Sequence, residues 1–119
     1  MKKARYVVQE HKQENGVHWD LMLEDNGVLI TFQMAHPPSL MPEKCSIQKI
    51  FDHPLRFLHY EGPVQNHTGC VKIADSGTYE ARSFTDTEIQ ICFAGAILQN
   101  SYHMVEENHN LWSMIRITS

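Results

Sequence analysis

No stretch of this sequence holds the roughly 20 consecutive apolar residues that a helix needs to span a bilayer, which excludes a membrane-spanning helix. The start, MKKARYVVQEH, has a basic cluster but no long apolar region and no small-residue cleavage site, so it is a poor secretory signal. Cysteine is sparse, and Cys45, Cys70 and Cys92 form no CxxC pair, which argues against a zinc knuckle or a disulfide frame. They are expected to be reduced, part-buried thiols of a cytoplasmic protein. Excess positive charge is missing too. Ten Lys and Arg against 14 Asp and Glu leave a net charge of −4, which argues against a nonspecific coat of phosphate contacts along a duplex. A site for one phosphate stays open, because a bound divalent cation brings positive charge without a basic surface. Repeats, low-complexity segments and Gly/Ser-rich linkers are also lacking, so residues 1–119 are expected to form a single domain. At 42% apolar and 20% charged residues, the chain has the composition of a globular protein large enough for its own core.

What the sequence does have is short apolar or alternating runs separated by turn signals. ARYVV, VHWDLML, GVLITFQMA, CSIQKIF, GCVKIA, YEARSF, EIQICFAGAIL, SYHMV and LWSMIRI are rich in β-branched and aromatic residues. Breakers fall at Asn15-Gly16, Asn26-Gly27, Pro37-Pro38, Gly62-Pro63, Ser76-Gly77 and Asn108-His109-Asn110. This spacing predicts an all-β fold, a small antiparallel β-barrel with little helix. One short helix is expected to start near Pro42-Glu43.

Eight histidines is a high count for this length, and two of them sit in QEHKQENGVHWDLML, residues 9–23. Asn-Gly is the strongest two-residue hairpin signal, because a type I′ turn needs positive φ at both positions. Counting outward from Asn15-Gly16 predicts Glu14 opposite Val17, Gln13 opposite His18, Lys12 opposite Trp19 and His11 opposite Asp20. Opposed residues share a face and side chains alternate along each strand. One face then carries Gln9, His11, Gln13, His18, Asp20 and Met22. The other carries Val8, Val17, Trp19, Leu21 and Leu23, an apolar core face. Two imidazoles and a carboxylate gathered this way are a candidate site for a divalent ion, and they leave positions open for a reactant. Ligand type alone does not choose among Mn²⁺, Zn²⁺ and Fe²⁺. A slip of one residue would separate His11 from Asp20.

YVVQEH, VHWDLMLEDNGVLITF, HPPS, DHPLRFLHYEG and DSGTYE, in that order, resemble the 3′-phosphoesterase domain of bacterial DNA ligase D. The resemblance covers roughly residues 6–80 and continues more faintly through GAIL and LWSMIRI. It implies a small β-barrel that uses a divalent metal, typically manganese. The implied substrate is the 3′ end of nucleic acid, trimmed of a terminal ribonucleoside and then a 3′-phosphate in support of double-strand break repair. The sequence leaves room for a DNA-repair protein as a partner without identifying one. By the resemblance the metal ligands fall on His11, His18 and Asp20, a second polar active-site residue on Gln9, and a phosphate-binding histidine on His53.

Departures from the family pattern are specific. Where the family has an arginine that grips the phosphate this chain has Met22, and where it has a tyrosine this chain has Phe57. The spacing between the two histidines is one residue longer, which an even-numbered turn would accommodate. A charged N-terminal arm of the family is expected to be missing, since the first strand begins almost at Met1. His36 lies where the family usually has lysine, and His59, Tyr60, Arg56, Arg82 and Arg116 are further candidates for replacing lost charge. Each is expected to be an ordinary surface or rim residue, as are His67, His103 and His109. Trp19, Phe32, Phe51, Phe57 and Trp112 are expected in the core rather than as stacking platforms. The sequence thus allows a phosphoesterase whose substrate is a nucleic-acid 3′ end or another phosphate ester. It also allows a weakly catalytic metal- or phosphate-binding module. A cupin-like oxygenase fits poorly, because no His-x-His element occurs.

Overall fold

The structure, a computed structural model, describes residues 1–64 and 69–118; the surface position expected of His67 lies outside them. Nine strands dominate the described residues: β1 (Lys2–Gln13), β2 (Gly16–Asp25), β3 (Val28–Met34), β4 (Lys44–His53), β5 (Gly62–Pro63), β6 (Cys70–Phe84), β7 (Glu88–Gly95), β8 (Ser101–Asn108) and β9 (Leu111–Ile117). Every pairing is antiparallel, in the order β1-β2-β3-β4-β9-β8-β7-β6-β5. β1 also pairs with β6, so the sheet closes in a ring and is barrel-like. Closure removes the exposed edges of β1 and β6 that an open sheet would leave. The all-β expectation holds. Two 3-10 turns, Pro38–Leu40 and Leu55–Leu58, are the helical elements among the described residues. Nothing helical forms at Pro42-Glu43, because the chain is already entering β4 at Lys44. No helix among the described residues is long and apolar enough to cross a membrane.

Two expected breakers behave differently from each other. Asn26 and Gly27 take φ of 48° and 83° between the paired Asp25 and Val28, as a type I′ hairpin requires. Ser76-Gly77 makes no turn at all and lies inside β6, paired to Val7 and Tyr6 on one side. On its other side Gly77 faces Gly95 of β7, and a side chain there would run into the Ala94 carbonyl. Here glycine serves a close approach of two strands, so GCVKIA and YEARSF join into one 15-residue strand.

The inside of the ring is filled by Trp112, Tyr6, Tyr79, Tyr102, Phe32 and Phe93, with Val8, Leu21 and Leu23 from the first hairpin. Each fully buried large side chain contributes roughly 1.5–3 kcal/mol. Buried hydroxyls are satisfied: Tyr6 donates to Asp75 Oδ2 at 2.6 Å and Tyr79 to the Glu24 carbonyl at 2.7 Å. Asp75 also accepts from the Ile97 and Leu98 amides, both at 2.9 Å, and so ties the turn after β7 to the core. Phe32 and Trp112 are core residues as expected, and Trp19 packs partly buried against the same cluster. Phe51 is a correction, because it stands 74% exposed on β4. The cysteines are free, but only Cys45 is part-buried; Cys70 and Cys92 are exposed.

A second, smaller cluster lies on the outer face of the wall. Val7, Met22 and Leu29 point outward there and are covered by Leu58, with Leu55, Phe57 and Ile73 packed against them. The segment from Pro54 to Tyr60 thus roofs the outside of β1, β2 and β3.

Candidate metal and phosphate site

The β1–β2 hairpin brings the expected residues onto one face, but in a register shifted by two. His11 pairs with His18 and Gln9 with Asp20, while Gln13 pairs with Gly16. The turn residues are therefore Glu14 and Asn15, neither of which takes positive φ, so this is not the type I′ turn expected at Asn15-Gly16. Two neighbours hold the register. β1 is bonded along its length to β6, and β2 is pinned to β3 by the Asn26-Gly27 turn. A shift of two keeps every side chain on its face, whereas a shift of one would not. The apolar partners stay inside and the polar row stays outside, with Val17 left exposed near the turn.

His11 Nδ1 lies 3.2 Å from His18 Nε2, with the rings edge-on at 67°. His18 Nε2 lies 3.4 Å from Asp20 Oδ2. One ligand atom from each of the three residues falls within 4.8 Å of the others. Asp20 is buried, and its Oδ1 has no hydrogen-bond partner among the described residues. Burial pushes the Asp20 carboxyl up to about 6, partly countered by the charge of His11. Burial also lowers the pKa of His18. The wall therefore disfavours both members of a carboxylate–imidazolium pair, and the short His18–Asp20 approach is not a compensated salt bridge. A buried carboxylate oxygen without a donor, beside two imidazoles, is the donor set that a divalent cation would complete.

Gln9, next to His11 on this face, is fully buried and donates from Nε2 to the carbonyls of Phe57 at 3.1 Å and Tyr60 at 3.0 Å. Its amide is thereby engaged in holding the roof down. His53 ends β4, where its backbone pairs with Leu29. Thr31, itself buried opposite Met22, donates its hydroxyl to the Leu29 carbonyl at 3.0 Å. The same hydroxyl lies 2.8 Å from His53 Nδ1, which leaves Nε2 as the ring nitrogen not engaged by Thr31. Burial lowers the His53 pKa; the Phe51 carbonyl and Asp52 raise it, and the charge of His11 lowers it further.

Other candidates scatter. Arg56 lies over the Phe57 ring, 4.9 Å from its centroid, and Phe57 meets His53 edge-on at 5.5 Å. Tyr60 spends its hydroxyl on the Pro63 carbonyl, and His59 is exposed at the end of the 3-10 turn. Arg82 lines a cavity of about 520 Å³ with Lys2 and Asp25, at the end of β1 remote from His11. Arg116 belongs to β9, where it pairs with Tyr102. His36 is half-buried just beyond β3. His103 contacts Glu88 at 2.7 Å and His109 contacts Asn110, both away from the site. Thr31 is a residue that sequence reading missed. Its signal was a polar side chain in the same alternation phase as Leu29, on a strand facing Met22.

Residues 9–106 match the family model described as the DNA Ligase D 3′-phosphoesterase domain. The chain is 29% identical over 123 residues to the multifunctional non-homologous end joining protein LigD of Mycobacterium bovis, a match covering 94% of this chain and 16% of that protein. The same figures hold for the multifunctional non-homologous end joining DNA repair protein LigD of Mycobacterium tuberculosis. For LigD of Mycolicibacterium smegmatis the identity is 27% over 126 residues, covering 91% of this chain and 16% of the relative. The chain thus spans about a sixth of the length of the curated relatives it matches. The match to the family model spans most of the chain, and to the DNA ligase D 3′-phosphoesterase domain family this chain belongs.

Proposed function

We propose that this protein is a divalent-metal-dependent phosphoesterase acting on 3′ ends of nucleic acid, with a role in DNA end repair. The observation that carries the reading is the cluster of His11, His18 and Asp20, in which the buried Asp20 keeps one carboxylate oxygen without a partner among the described residues. These three residues would hold the ion, with manganese the first expectation and zinc the second. When bound, the ion supplies Lewis acidity and positive charge at the phosphoryl group. Asp20 serves as a carboxylate and the two imidazoles serve neutral, which is the state burial already favours for His18. His53 would meet the phosphate through Nε2, since Thr31 lies against its Nδ1. Protonated, that nitrogen donates to a phosphoryl oxygen; neutral, it accepts a proton. Gln9 acts by fixing the roof that carries Phe57, and so acts through position. Arg56 lies over the Phe57 ring and has no ion-pair partner among the described residues, so its charge is available at this rim.

A second reading, a weakly catalytic metal- or phosphate-binding module for a repair partner, draws on Met22 and Phe57. Met22 is buried between Val7, Leu29 and Leu58, and Phe57 packs on the same cluster, so apolar contact fills the place of an arginine and a tyrosine. Arginine grips phosphate with a planar, permanent, bidentate charge that thioether and phenyl groups do not supply. Phosphate release from a 3′-phosphorylated DNA end decides between the two. Under the first reading release requires manganese, and His18→Ala lowers it by about 100-fold or more, the scale of a lost metal contribution of several kcal/mol. Tight manganese binding without any release, in the unaltered chain, would select the second.

A further inference from the structure

We propose that Phe51 is a stacking platform for the terminal nucleobase of the strand whose 3′ end reaches His53; this rests on the phosphoesterase reading. Phe51 and His53 are two apart on β4 and share a side. Their rings lie nearly parallel, at 21°, with centroids 4.7 Å apart. One face of Phe51 therefore covers the imidazole, and the ring is otherwise 74% exposed. Such an open aromatic face beside the nitrogen assigned to the phosphate suits a ligand with a flat ring and a phosphate on the same residue. A nucleotide is that ligand.

The surroundings favour a base over a protein partner. Asp52, Pro54 and Arg56, the neighbours along the chain, are exposed and mostly polar, so Phe51 does not belong to a run of apolar surface in its own segment, as a docking patch would require. The stack also continues inward, since His53 meets Phe57 edge-on at 5.5 Å and Arg56 caps Phe57. Stacking on an aromatic face is tolerant of base identity, because every base has a π-face. It also needs no basic groove at this position, which matters in a chain with a net charge of −4. The platform would supply base affinity where Met22 withholds an arginine from the phosphate.

Binding of a labelled single-stranded oligonucleotide to the manganese-loaded protein tests this without relying on turnover. The strand ends in a non-hydrolysable 3′-methylenephosphonate, and a matched strand lacks the terminal base. Phe51→Ala should weaken binding of the intact strand by about tenfold, and the loss should fall below about twofold for the abasic end. Phe51→Leu keeps an apolar cover on His53 but has no π-face, and should lose nearly as much as alanine. Phe51→Trp should restore affinity, with its added fluorescence over Trp19 and Trp112 quenched by the intact strand. Equal losses on intact and abasic strands, or full affinity in Phe51→Leu, would overturn the platform while leaving the phosphoesterase reading standing. If the unaltered protein bound neither strand, both would fall.

Discussion

Replacing Met22 by arginine and Phe57 by tyrosine together is expected to raise manganese-dependent phosphate release from a 3′-phosphorylated DNA end by about 10²–10³-fold, the usual effect of one strong electrostatic group at a phosphoryl centre. Met22 sits one alternation step beyond Asp20 on the same outer face, opposite Val7 and Thr31. A guanidinium there would add a permanent positive charge to the face that carries Asp20. Phe57 already touches His53, so a tyrosine hydroxyl adds a donor at the same rim. The gain has a cost. Met22 is fully buried among Val7, Leu29 and Leu58, and a longer charged side chain in that space should lower stability by about 1–3 kcal/mol. Steady-state rates together with urea unfolding of the double variant read both effects. A strong native activity that the double change leaves untouched would show that Met22 and Phe57 are not deficits.

Asp20→Asn is expected to act in opposite directions on stability and metal binding. The Asp20 carboxyl is raised from 3.8 to about 6, so in the metal-free fold it holds a proton more tightly than in the unfolded chain. Between those two values the folded state binds the extra proton, and stability from this group falls as pH rises through the window. Above pH 6 the cost is complete, about 2–3 kcal/mol at ~1.4 kcal/mol per unit. An amide of the same shape avoids that cost. Metal-free Asp20→Asn should therefore be more stable than the unaltered protein at pH 7 by roughly 2 kcal/mol, about 8 °C in Tm for a domain of this size. The advantage should vanish near pH 4. His18 works in the opposite direction, because its lowered pKa makes stability rise with pH below the ordinary histidine value. Manganese should reverse the order at pH 7. An ion at about 100 times its Kd stabilises the unaltered protein by about 2.7 kcal/mol, and Asp20→Asn should show almost none of that shift. Thermal melts at pH 4, 5, 6 and 7, with and without manganese, give the whole pattern.

The faces of the first hairpin were legible because alternation has a period of two and tolerates an even error. His11, His18 and Asp20 share the outer face whether the turn is Asn15-Gly16 or Glu14-Asn15. The pairing itself was not legible from residues 9–23, since β6 on one side and β3 on the other hold the register. Ring closure has the same character. Short alternating runs predict strands, but the β1–β6 contact joins residues about 70 positions apart. The roof was the least visible part. Gln9 bonds to carbonyls 48 and 51 residues away, and that tie decides that Met22 is buried. Phe51 stands where the β3–β4 register shifts, between the Ile50 and His53 pairings, an irregularity that local alternation does not reveal. Apolar character alone would have placed Phe51 inside with Phe32.

Whether His11, His18 and Asp20 together hold one divalent ion is read from a crystal structure of the protein grown with manganese, with anomalous scattering to identify the ion. A single strong peak is expected in contact with both imidazoles and the Asp20 carboxylate, with His53 facing it across the rim. A peak elsewhere, or these three side chains turned apart with no ion between them, would contradict it.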